Sequence, residues 1–169
     1  MAAQKKVVVR LSGGRVAWGY LPSSGFVREG QVELIEADAR AKLFDLNEIE
    51  MIAYVKDFNL DDAVEPERLG RRAFAGRPRG EGLWVRLELR EMASLEGLMS
   101  FGRGFLDEVV EDGGVFVTPP DARGNAVRVF VPRGSLRGME VLGWVASPAR
   151  KAAERVARET QQAELFGEE

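Results

Sequence analysis

The 169-residue chain contains no cysteine and no histidine. Without cysteine there is no disulfide, no thiolate nucleophile and no thiolate metal ligand. Without histidine the commonest general base and the commonest metal ligand are gone, and so is any Ser-His-Asp triad. Carboxylate-held metals and lysine or glutamate chemistry stay open, yet hydrolases and transition-metal enzymes lose most of their usual parts. The expectation is therefore a protein that is not an enzyme and carries no cofactor. A strong charge of either sign is also missing. The net charge of −3 gives no global pull toward nucleic acid or anionic lipid. No segment approaches the roughly 18 apolar residues of a membrane span. Arg10 interrupts the short apolar run after Lys5-Lys6, and no cleavage pattern follows, so no secretory leader is expected. These absences fit a cytoplasmic protein.

What is present reads twice. Residues 7–21 are VVVRLSGGRVAWGYL and residues 83–99 are LWVRLELREMASLEGLM. Both open on an apolar run with Val-Arg-Leu and both end at a glycine inside an apolar cluster. ELIEADARAKLFDLNEIEMIAYV (33–55) has a counterpart in VFVTPPDARGNAVRVFVPRGSLRGMEVLGWV (115–145). Each contains Asp-Ala-Arg, at 38–40 and 121–123. Each then runs to a Phe, a short turn-like link and an apolar last strand.

The first copy predicts a hairpin over 6–21 around Ser12-Gly13-Gly14, because glycine accepts positive φ cheaply. Alternation predicts a half-buried strand over 31–37. Further strands follow at 42–46 and 51–55, with a 3₁₀ link at 46–49. Such a set of short strands buries its apolar faces only by closing or sandwiching. The fold expected is mainly β: two tandem small SH3-like or Sm-like barrels from an internal duplication, plus a C-terminal α-helix. The first barrel covers 6–58 and the second 83–146. Residues 59–82 read as a charged Arg/Gly-rich linker. Ser147-Pro148 opens a helix over 147–166, with serine as cap and proline at the first helical position. A copy of about 60 residues buries only about 60% of its unfolded surface. The two copies are therefore expected to pack on each other, or the protein to self-associate.

The pattern V-V-R-x-x-x-G-x-x-x-x-G-Y over Val8–Tyr20 adds a resemblance. So do Val55-Lys56-Asp57-Phe58 and the stretch Phe116–Arg133, which ends Phe-Val-Pro-Arg. Together they resemble an uncharacterised bacterial family of tandem small β-barrels, some of which sit beside PilZ modules. The resemblance implies a fold and no activity.

Several constellations could carry chemistry. The cluster RLGRRAFAGRPRG holds Arg68, Arg71, Arg72, Arg77 and Arg79 around Phe74. Arginines at this density can grip phosphates, with Phe74 stacking on a base. The blander reading is a solvated linker whose arginines pair with Asp57, Asp61, Asp62 and Glu65. A PilZ-type cyclic-di-GMP site wants R-x-x-x-R and D/N-x-S-x-x-G. Arg72 and Arg77 are one residue too far apart, and the second motif is absent. Arg103, in Phe101-Gly102-Arg103-Gly104-Phe105, is a further phosphate contact by type, but a single Arg-Gly-Phe copy reads first as a loop. Asp107, Glu108, Glu111 and Asp112 lack the spacing of a calcium loop. Gly13-Gly14 and Gly113-Gly114 precede no helix, so they read as hairpin turns. The aromatic residues read mostly as core. The expected role is a non-enzymatic interaction or regulatory module with a protein partner or itself. The alternative is nucleotide or RNA binding, cyclic dinucleotides included, through the arginine segment.

Overall fold

The computed structural model describes residues 4–100, 112–121 and 123–166. The first half supplies β1 (Lys5–Leu11), β2 (Val16–Leu21), β3 (Val27–Arg28), β4 (Gln31–Ile35), β5 (Ala41–Asp45) and β6 (Ile49–Val55). The second supplies β7 (Gly82–Leu89), β8 (Leu95–Met99), β9 (Gly114–Val117), β10 (Ala126–Pro132) and β11 (Leu136–Val145). Single 3₁₀ turns at Leu46–Glu48 and Arg133–Ser135 lead into β6 and β11, and α1 (Pro148–Phe166) follows.

The protein is mainly β, with two sheets. One has eight strands in the order β3-β4-β2-β1-β6-β10-β9, with β5 added on β4; the other has three, β11-β7-β8. Neither closes into a barrel, which corrects the expectation of two closed modules. The reason is at β6. One edge pairs with β1 and the other with β10 of the second half, so the first half opens into the second. Among the described residues a single bridge, Leu98 to Thr118, links the two sheets.

The two halves nevertheless repeat their pairings. The order β6-β1-β2-β4-β5 recurs as β11-β7-β8-β9-β10. Each first strand meets its last through the same irregularity, at Leu11/Ile49 and at Leu89/Leu136. Each second strand touches its third at one residue pair, Tyr20–Ile35 and Leu98–Thr118. Leu46 N donates to Gly30 O at 2.8 Å, and Arg133 N donates to Gly113 O at 2.9 Å. These matches align Leu11 with Leu89. The two Asp-Ala-Arg segments fall in register, whereas the two Val-Arg-Leu segments are offset by two residues.

The glycines that end the first repeat, Gly19 and Gly97, now have a common cause. A Cβ on Gly19 would lie 2.5 Å from Ile35 O, and one on Gly97 would lie 2.6 Å from Val117 Cβ. The third strand crosses the second too closely for a side chain.

The core forms two clusters, and each draws on both halves. Val7, Val9 and Leu11 of β1 face one cluster and Val8 faces the other. All seven residues of β6 are buried. A strand covered on both faces carries a continuous apolar run instead of alternation, as Met51–Val55 does after the buried Glu50. Phe116 and Phe130 of the second half reach Phe26 of the first, with ring centroids 6.1 and 5.1 Å away. In return Val8, Met51 and Ala53 pack with Val85 and Leu87. The halves therefore pack on each other through shared cores.

Helix α1 stands apart. Residues 148–165 are all exposed. Near its start Arg150 pairs with Glu81 at 3.2 Å and lies 5.6 Å from the Trp144 ring. Among the described residues no helix is long and apolar enough to cross a membrane.

Candidate functional site

The charged segment after β6 is a pinned strap. Glu67 is fully buried, and Arg10 of β1 holds it at 2.5 Å. Leu69 is buried in the core shared with the second half. Further on, Glu96 N donates to Arg72 O at 2.7 Å, so the strap lies along β8. The Glu96 carboxylate accepts from Phe74 N at 3.0 Å, Arg86 at 3.0 Å and Trp84 Nε1 at 3.2 Å. Burial by itself would raise this carboxyl. The hydrogen bonds from Phe74, Arg86 and Trp84 outweigh burial and hold it below its ordinary range. Phe74 then stands edge-on to Trp84, with centroids 6.1 Å apart.

Opposite the strap lies the loop between β9 and β10. Asn125 fastens the two together. Its side chain donates to Asp57 O at 2.8 Å and Pro66 O at 3.0 Å, and accepts from Asp57 N at 2.8 Å. Between strap and loop, over the lone β8–β9 bridge, is a groove of about 480 Å³. Arg71, Phe74, Arg77 and Arg79 line it from the strap; Thr118, Pro119, Pro120, Asp121 and Arg123 line it from the loop. Four arginines thus line the groove with one acidic residue, Asp121. Arg77 donates to Trp144 O at 2.8 Å. The side chains of Arg71, Arg79 and Arg123 make no hydrogen bond or ion pair with another described residue. The volume falls within the usual range for a small-molecule site, roughly 300–1,000 Å³. Arginine suits planar, bidentate capture of phosphate or carboxylate.

The structure thus sorts the arginine segment. Arg71, Arg77, Arg79 and Phe74 meet at the groove. Arg68 turns away to Asp61 and Asp62, both at 3.6 Å, so the expected pairing with the acidic stretch holds at this residue. Arg72 is held by its backbone, and its guanidinium reaches Ala93 O at 3.4 Å. Arg103, with its flanking Phe101 and Phe105, lies outside the described residues, as do Asp107, Glu108 and Glu111. Asp112 is buried and accepts from Gly25 N at 3.1 Å, so it ties the halves together. The loop's share of the site, Arg123 above all, was not singled out from sequence. Its signal was the Asp-Ala-Arg repeat, which read only as scaffold.

A second cavity of 450 Å³ lies against β3–β5. Its lining mixes Arg28 with Glu29 and Glu33, so its charges cancel instead of converging.

The class defined by this architecture is a mainly β, two-sheet protein with internally repeated pairing and a basic surface groove. A family of unknown function (DUF6982) matches residues 3–143, and the chain belongs to that family. The match takes in both halves, the strap and the groove, and stops short of α1. No curated protein and no solved structure matches the chain.

Proposed function

We propose that the protein is a non-catalytic binding module whose arginine groove takes a phosphate-bearing ligand of nucleotide size. The observation that carries this reading is the convergence of Arg71, Arg77, Arg79 and Arg123 on one groove beside a half-buried aromatic, Phe74. Phosphate oxygens would satisfy the three guanidinium groups that have no partner among the described residues, and Phe74 offers an edge for a base. We read the two halves as SH3-like or Sm-like modules from a duplication, opened to share one sheet. The repeated pairing order, the repeated irregularity at Leu11 and Leu89, and the paired glycines support that reading.

The test is titration of the full chain with ATP, cyclic di-GMP and a short oligouridine. Binding of at least one probe is expected at about 20 mM salt, weakening about tenfold or more by about 200 mM. An Arg71→Ala, Arg79→Ala variant should bind that probe about a hundredfold less tightly, since each removes a charge-assisted contact. No binding of any probe at low salt, or equal binding by the variant, would end this reading.

A further inference from the structure

The repeat predicts a contact that one chain cannot make with itself. Within the chain, the last strand of the first half (β6) pairs with the fourth strand of the second half (β10). Their register sets Arg128 opposite Tyr54, Val129 opposite Ala53, and Phe130 opposite Ile52. The corresponding strands at the two ends are β11, the last strand of the second half, and β5, the fourth main strand of the first. Among the described residues β11 pairs only with β7 and β5 only with β4. At 41–43 of β5 and 139–141 of β11, clear of the Arg77 contact on Trp144 O, each therefore presents an edge with no second strand among the described residues, a ready template for another strand.

The repeat also fixes which residues would meet. Counting back from the two 3₁₀ turns, Ala41, Lys42 and Leu43 stand where Arg128, Val129 and Phe130 stand. Counting on from them, Met139, Glu140 and Val141 stand where Ile52, Ala53 and Tyr54 stand. The two ladders confirm that alignment, since Val9 pairs with Ile52 as Leu87 pairs with Met139. Carried over, the β6–β10 register places Leu43 opposite Met139, Lys42 opposite Glu140, and Ala41 opposite Val141.

Those pairs are complementary. Phe130 and Ile52 are fully buried, whereas their counterparts Leu43 and Met139 are 61% and 49% exposed, and Val141 is 55% exposed. Met139 and Val141 share a sheet face with the buried Leu87 and Val85. They are thus the uncovered margin of a core. A lysine on an edge strand ordinarily discourages edge pairing; here it falls opposite Glu140, which pairs with Arg86 at 2.7 Å on its other side, so that Lys42 would extend an existing ion pair across the junction.

We infer that β5 of one molecule adds to β11 of a second copy of this chain, repeating between molecules the β6–β10 junction within each. The contact is heterologous, because two different edges meet. It generates a head-to-tail series that closes into a ring or extends. It does not depend on the groove or on any ligand.

The test is sedimentation velocity on the full chain over a concentration series, without ligand. Species above the 18.7 kDa monomer are expected. Leu43→Asp and Met139→Asp, both at exposed positions, should each be monomeric alone. Mixed, they should form a species of twice the monomer mass and stop there, because each retains one intact edge. Lys42→Glu or Glu140→Lys should weaken association about tenfold, and combining them should restore it. Thermal midpoints of the variants check that they fold. A wild type that stays monomeric at every concentration overturns the inference. So does a folded Leu43→Asp variant that assembles like wild type, or a mixture that does not pair.

Discussion

Glu67 carries a charge at a position with no solvent contact, and Arg10 answers it from β1. Removing one partner of such a pair leaves an uncompensated charge inside the protein. Arg10→Ala should therefore destabilise the fold by about 3 kcal/mol or more. It should also loosen the strap, so that trypsin cuts between Arg71 and Arg79 faster than in wild type. An unchanged midpoint and unchanged cleavage would show that Glu67 does not hold the strap. This residue also marks where sequence reading ran out. Glycine, proline and arginine made 59–82 look like a linker. What makes it a strap is a few scattered anchors, Glu67 and Leu69 in the core and Pro66, Arg72 and Phe74 on their hydrogen bonds, and they set no period. Likewise nothing in the run of arginines separates Arg68, which pairs with Asp61 and Asp62, from Arg79, which faces the groove.

Among the elements, the strands were largely legible because alternation and glycine-marked turns are local signals. Register was less so. The Val-Arg-Leu match is offset by two residues from the structural one. A shift of two keeps every side chain on its own face, so hydrophobic pattern cannot detect it. Asp38 and Asp121, which open the Asp-Ala-Arg segments, fell in register, and each sits in a turn. Helix α1 was legible from its serine cap and the proline at its first position. Its residues 148–165 are all exposed. Ending the chain at Ser147 should accordingly leave the melting midpoint within about 2 °C of wild type. A fall of more than about 5 °C in a thermal scan would mean that the helix packs where the structure shows it exposed.

At the scale of the whole molecule, the sequence suggested two copies but not how they would join. Closure of each copy was the economical expectation. The shared sheet arises because β6 meets β10, a contact between residues about 75 positions apart that no local pattern encodes. The same joining creates the groove, since strap and loop come from opposite sides of the β8–β9 gap. It also concentrates positive charge in a chain whose net charge is −3. The net charge thus gives no sign of this local convergence. The most direct test of that site is an amide NMR titration of the full chain with the tightest-binding phosphate probe at low salt. The account predicts shifts confined to residues 71–80, 96–98 and 118–125. Saturating shifts at the β3–β5 cavity instead, or none anywhere, would contradict it.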